Sequence, residues 1–309
     1  MSDSFSKFHP VIHFIYFFYV ITFSMIFMHP LCLCVSVFCA FSYSIFLKGK
    51  KAVQFNFLFL LPMLALTALV NPAFNHEGTT ILTYLHNGNP LTLESILYGV
   101  AAAAMLVSVI AWFSCYNAVM TSDKFIYLFG RVIPALSLIL SMTLRFVPRF
   151  KAQLKVIFAA QRGMGKDGSK GSLLHRIQIG ITILSVMITW ALENAVETAD
   201  SMKSRGYGLP GRTAFSIFQF DSRDKMALIF LLAAGVYIIA GAWTGGLFFR
   251  YYPSVKGAFS AHTWSIVMVY CTLSLMPIAV ELWYRWKWTS GRNNGRSEER
   301  RAYEYISAE

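Results

Sequence analysis

The sequence predicts an all-α polytopic membrane protein with about six transmembrane helices and long amphipathic helices on the cytoplasmic side. Three observations carry that expectation. Only 14% of the 309 residues are charged and 56% are apolar, with a mean hydropathy of +0.52; a water-soluble domain has about 25% charged and about 45–50% apolar residues. The apolar residues gather in runs near the length that crosses a bilayer, about 17–25 residues. The net charge of +12 is spread unevenly along the chain, as it is where Lys and Arg hold loops on the cytoplasmic side.

Residues 11–28 and 31–47 form a helical hairpin broken at His29-Pro30, because proline cannot continue a helix. No small-residue cleavage site follows the run from Val11, which is therefore expected to be a span rather than a cleaved signal. Residues 55–70 make the third span, and the alanine-rich residues 93–112, containing Gly99, the fourth. Residues 226–249 and 264–284 are the fifth and sixth. The outer loop, Asn71-Pro72-Ala73-Phe74-Asn75-His76-Glu77-Gly78 through Asn87-Gly88-Asn89-Pro90, lacks Lys and Arg and is rich in turn formers. His76 and Glu77 are adjacent and face apart on any regular element, so a structural loop is expected rather than a metal or substrate site. The chain divides into residues 1–112, N-terminal membrane helices; 113–225, a cytoplasmic or interfacial region; 226–288, C-terminal membrane helices; and 289–309, a polar tail expected to be disordered.

Orientation follows from the basic residues. With the N-terminus inside, the cytoplasmic segments hold Lys7, Lys48, Lys50, Lys51, the region 113–225 and the tail from Arg285. That is 25 of the 27 basic residues, leaving only Arg250 and Lys256 outside. Trp112, Trp243, Trp264, Trp283, Trp286 and Trp288 fall near span ends, where aromatic belts form. Cys32, Cys34, Cys39, Cys115 and Cys271 all lie in apolar stretches without a Cys-x-x-Cys pair. They read as small buried or lipid-facing residues, not as a disulfide or zinc framework.

Residues 113–225 contain 15 of the basic residues. Two helical tracts stand out there. The first runs from Pro134 to Arg162: residues 135–144 are apolar, and then Phe146, Phe150, Leu154 and Ile157/Phe158 return every three or four positions, with Arg145, Arg149, Lys151 and Lys155 on the other faces. Pro148 is expected to kink it. It ends at Gln161-Arg162-Gly163-Met164-Gly165, where glycine is the usual stop. The second runs from Leu173 to Arg205, with an apolar stripe of Ile177, Ile181, Leu184, Ile188, Leu192, Ala195, Ala199 and Met202. Glu193, Glu197 and Asp200 share one face, open either to pairing with Lys151 or Lys155 or to water. It ends at Ser204-Arg205-Gly206-Tyr207-Gly208, and Pro210 forbids continuation.

A single Arg-Gly dipeptide has no specificity, and the helix dipole favours arginine in a last turn in any case. Two long helices on the same side of a membrane, each ending in Arg-Gly, form a repeated design. The guanidinium fork suits docking into a carboxylate- or carbonyl-lined groove of a partner.

On these residues the chain resembles the transmembrane T component of energy-coupling factor (ECF) transporters, a family that includes the membrane scaffolds of cobalt and vitamin importers. The resemblance rests on Ala160-Gln161-Arg162-Gly163 after Leu144-Arg145-Phe146-Val147-Pro148, and on Ala199-Asp200-Ser201-Met202-Lys203-Ser204-Arg205-Gly206-Tyr207-Gly208. The stretches 71–78 and 194–200 are similar to a branch of the same family. The likeness covers roughly residues 9–225.

The resemblance implies a multi-pass protein of the cell membrane with no catalytic site, cofactor or metal of its own and no nucleic-acid partner. It implies two cytoplasmic coupling helices, each tipped by Xaa-Arg-Gly, that dock into two ABC-type ATPase subunits. It also implies a membrane S component that binds the substrate, a vitamin or a metal ion. Ser204, Arg205 and Gly206 match the second docking motif. The first departs from the pattern: many relatives read Gln-Arg-Ala-Arg-Gly, which puts Met164-Gly165 where the docking pair belongs and makes Arg162 the upstream arginine. Arg162-Gly163 is the alternative.

Other classes have less behind them. An integral membrane enzyme needs polar groups facing one another within the spans, and the candidates are Asn56, Glu94 and Glu281, without His-Glu-x-x-His or Gly-x-Ser-x-Gly. An ATP-binding subunit needs a phosphate-binding loop, yet Gly165-Lys166 is followed by Asp167 and position 160 is alanine. A secondary transporter calls for discontinuous spans and midplane charges.

Overall fold

Proline opens the first two long helices, where its missing N–H has no intrahelical partner to lose. In the computed structural model, which describes residues 5–84, 90–130, 133–165, 172–209, 218–257 and 259–307, these are α1 (Pro10–Ile26) and α2 (Pro30–Lys48). The break between them is the one that His29-Pro30 predicts.

The third span differs from its expected limits. α3 (Lys50–Phe55) passes through a π-helical stretch, Asn56–Leu60, into α4 (Leu61–Phe74), giving 25 continuous helical residues. The helix runs only two residues past Pro72. The Ala68 carbonyl that this proline cannot serve faces Gly99 of α5 (Leu93–Val119), where a Cβ would come within 2.7 Å of that oxygen. Glycine at this position is what permits α4 to pack so closely on α5.

Between α4 and α5, β1 (Ile81–Tyr84) pairs antiparallel with β2 (Pro90–Thr92). Glu94, only 2% exposed, accepts from the Thr79 hydroxyl (3.1 Å), the Thr80 hydroxyl (2.8 Å) and the Thr80 N–H (3.2 Å). The Thr92 hydroxyl donates to the Glu77 carbonyl (2.8 Å), and the amides of Asn71 and Asn75 both donate to the Tyr252 hydroxyl (3.3 and 3.2 Å). These bonds pin the loop to the start of α5. His76 and Glu77 are loop residues there, and among the described residues no three His, Cys, Asp or Glu are grouped to hold a metal ion. The turn formers at 87–89 lie outside the described residues, as do Lys166, Asp167 and Pro210.

α6 (Ser122–Gly130), α7 (Pro134–Gly163) and α8 (Leu173–Ser204) follow. Asp224 then starts α9 (Ser222–Trp243) by accepting the N–H groups of Asp221 (3.1 Å) and His9 (3.4 Å). α9 stops six residues short of its expected end, because Thr244-Gly245-Gly246 makes a turn before β3 (Phe249–Arg250) pairs with β4 (Lys256–Gly257). α10 (Ala261–Ser307) continues past Lys287. The polar stretch from 289, expected to be disordered, continues α10 to Ser307 and holds no proline that would stop it.

Among the described residues six helices are long and apolar enough to cross a membrane: α2, residues 50–74, α5, α8, α9 and residues 261–287. α1 is apolar but has 17 residues. α8 enters this set because residues 177–192 contain no charge, although its acidic C-terminal half makes the whole tract read as interfacial.

The chain forms two compact units, residues 1–122 with 218–309, and residues 123–217. The first holds a large aromatic core of Phe5, Tyr16, Phe17, Tyr43, Trp112 and Tyr270. A polar thread runs through it. The Ser24 and Ser36 hydroxyls are 2.6 Å apart, Tyr270 lies 3.0 Å from Ser24, and the Trp112 indole donates to Ser36 at 3.1 Å, so α1, α2, α5 and α10 are joined. Trp112 is therefore not a belt residue: α5 runs two turns beyond it, to Val119, and its side chain is 0% exposed. Trp243, Trp264, Trp283 and Trp286 are exposed, as belt residues are.

Candidate functional site

In residues 123–217 the two long helices meet through few side chains. Ile157 of α7 packs with Ile179 and Ile183 of α8, flanked by Leu154 and Met187. Phe150 stands edge-on to Trp190 with ring centroids 5.4 Å apart, and the Arg149 guanidinium lies 5.7 Å above the same indole. Residue numbers fall along α7 as they rise along α8, so the helices run in opposite senses. Pro148 lies within α7 without ending it.

The buried ridge of α8 is Ile179, Ile183, Met187, Trp190 and Asn194, and Asn194 donates to the Trp190 carbonyl at 3.0 Å. The expected stripe beginning Ile177, Ile181, Leu184, Ile188 and Leu192 is exposed instead. Both rows repeat at helical spacing, and only the partner helix decides which is covered. Trp190 and Asn194 are contributors that sequence reasoning missed; their signal was the i, i+4, i+8, i+11, i+15 series that starts at Ile179. Glu193, Glu197, Asp200, Lys151 and Lys155 are exposed and form no ion pair among the described residues, which decides their two readings in favour of water.

A helix ends with carbonyls that lack intrahelical donors. At the end of α8 the Gly206 N–H donates to the Lys203 carbonyl (3.0 Å) and the Tyr207 N–H to the Met202 carbonyl (3.0 Å), with Gly206 at φ +76°. These are the two bonds of a Schellman cap. Arg205 is the cap residue, exposed, and its guanidinium has no partner among the described residues. Its charge is favourable beside the negative end of the helix dipole. The Ser204 hydroxyl is occupied, donating to the Ser201 carbonyl at 2.9 Å.

The end of α7 shares the positive-φ glycine and the bond that closes on the carbonyl three residues back, around different residues. The Gly165 N–H donates to the Arg162 carbonyl (3.0 Å), the Met164 N–H to the Ala160 carbonyl (3.1 Å), and Gly165 has φ +79°. Met164 is the cap residue, with φ −82° and ψ 7° against −87° and 11° for Arg205. Met164-Gly165 thus occupies the position of Arg205-Gly206, while Arg162 corresponds to Lys203 and Gly163 to Ser204. Arg162-Gly163, the alternative pair, belongs to the last helical turn.

Because the helices are antiparallel, the two tips point to opposite ends of the pair. At about 1.5 Å per residue, Arg205 lies about 22 Å past Trp190 and Arg162 about 8 Å past Ile157.

Comparison with known proteins gives this architecture a family. Residues 2–217, more than two thirds of the chain, match the CbiQ family, "Cobalt transport protein". The chain is 29% identical over 210 residues to the energy-coupling factor transporter transmembrane protein EcfT 1 of Listeria monocytogenes serotype 1/2a (strain 08-5578), covering 63% of this chain and 75% of that protein. It is 27% identical over 203 residues to the EcfT of Streptococcus thermophilus (strain ATCC BAA-250 / LMG 18311), covering 62% and 74%. A shorter match, 33% over 112 residues, links it to the EcfT of Bacillus selenitireducens (strain ATCC 700615 / DSM 15326 / MLS10) and spans 36% of this chain and 42% of that relative. A multi-pass membrane protein with two long capped helices in one unit, matched to this family over most of its length, belongs to the CbiQ family, the transmembrane T components of energy-coupling factor transporters.

Proposed function

We propose that this chain is the non-catalytic membrane scaffold of an ECF-type ABC importer in the cell membrane, with its N-terminus and the coupling helices α7 and α8 on the cytoplasmic side. Two ABC-type ATPase subunits dock on the tips of α7 and α8. Their ATP-driven opening and closing moves these helices, and the motion releases a vitamin or metal ion bound by a membrane S component. The observation that supports this reading is Arg205: an exposed guanidinium with no partner among the described residues, fixed at the cap of a 32-residue helix.

The physical logic is that of a lever. A Schellman cap ties Arg205 to the helix backbone, so a groove that grips the guanidinium grips the helix. α8 is unbroken over its length, and the Ile157, Ile179 and Ile183 contact couples its motion to α7. Arg205→Glu is expected to abolish retention of the ATPase bound at this tip and to stop uptake, because a reversed charge faces the groove unpaired. Normal uptake by that variant sinks the proposal.

A further inference from the structure

We infer that Met164, not Arg162, is the docking residue at the tip of α7, and that the ATPase groove receiving this tip is apolar opposite the cap. The inference rests on the proposed docking of ATPases at the two tips and assigns the chemistry of one of them.

The cap geometry makes the assignment. Met164 and Arg205 have nearly the same backbone angles, and each precedes a glycine of positive φ whose N–H closes on the carbonyl three residues back. Whatever surface reads the side chain of Arg205 therefore has Met164 as its counterpart. Arg162 cannot substitute. At 3.6 residues per turn, a side chain two positions away is turned by about 200° around the axis, onto nearly the opposite side of the helix. Gly163, between them, offers no side chain.

Met164 is 62% exposed, although burial is the usual fate of a methionine. Its unbranched thioether adapts to irregular apolar pockets and is favoured at binding surfaces. Charge complementarity then fixes the partner. A carboxylate in the groove opposite Met164 would be desolvated on docking and left without a cation, so that groove presents apolar walls there. The groove facing Arg205 presents carboxylates or carbonyls. The two seats on the chain differ in kind: one is polar and one is greasy.

The test uses the full complex, purified in detergent without nucleotide, with ATPase copies per chain read by native mass spectrometry. Met164 and Arg162 are exposed, so unfolding is not the expected outcome of changing them, and monodispersity on size exclusion checks each variant. Met164→Leu is expected to retain two copies. Met164→Asp and Met164→Arg are each expected to weaken retention of one copy about tenfold, and Arg162→Ala to change it less than about twofold. Full retention by Met164→Asp, tighter retention by Met164→Arg, or loss with Arg162→Ala overturns the inference. If Arg205→Glu retains both copies as well, the docking proposal itself fails and this assignment falls with it.

Discussion

The two units of the chain hold their helices together in different ways. In the unit of residues 1–122 and 218–309, α1, α2, α5, α9 and α10 share a largely aromatic core with a thread of hydroxyls and an indole through its centre. In residues 123–217, α7 and α8 share three buried isoleucines, and Leu173, Leu174, Ile181 and Leu192 of α8 stand exposed. Lipid is as apolar as leucine, so an aliphatic side chain gains little by hiding from it, and helices in a bilayer are fixed by packing and hydrogen bonds. By that criterion the first unit is built to hold one arrangement. The second leaves aliphatic side chains uncovered and joins its helices through fewer of them.

The largest effect on this contrast is expected at Trp112. Trp112→Ala removes the centre of the core and the donor to Ser36, and should cost about 3–5 kcal/mol, read as a lowered midpoint of unfolding in detergent. A loss below that of any change in residues 123–217 would erase the distinction. Gly99→Val comes next. Its side chain collides with the Ala68 carbonyl and should cost about 1–3 kcal/mol through separation of α4 from α5, visible as new proteolytic cleavage near residue 75. In the other unit, Ile183→Val should cost about 0.5–1.5 kcal/mol. A larger loss there would mean that the α7–α8 contact is a core in its own right. Glu197→Gln, on the solvated face, should stay within about 0.5 kcal/mol of wild type; a clear change would reveal an ion pair at this position.

Much of this was legible in the sequence where backbone chemistry dictates it. Pro10, Pro30 and Pro134 mark helix starts, and Gly165 and Gly206 mark the ends of α7 and α8. Apolar runs located most of the spans. What was not legible depends on the other side of a contact. Trp112 has the same amphipathic character whether it lies in a belt or a core, and only the length of α5 decides. The covered ridge of α8 competes with a second row of equal hydrophobicity. Pro72 reads as a terminator unless Gly99 is known to lie opposite the carbonyl it frees. Family resemblance already puts Met164-Gly165 where the docking pair belongs; choosing it over Arg162-Gly163 takes the φ of Gly165, which no residue letter states.

The central claim is that the tip of α8 is a handle for an ATPase and not part of the packing. Uptake by cells carrying Arg205→Glu, measured beside the amount and melting temperature of the purified variant, tests it most directly. The expected result is a protein of wild-type abundance and stability with no ATP-driven uptake and no ATPase held at this tip. Wild-type uptake, or a loss explained entirely by unfolding, contradicts it.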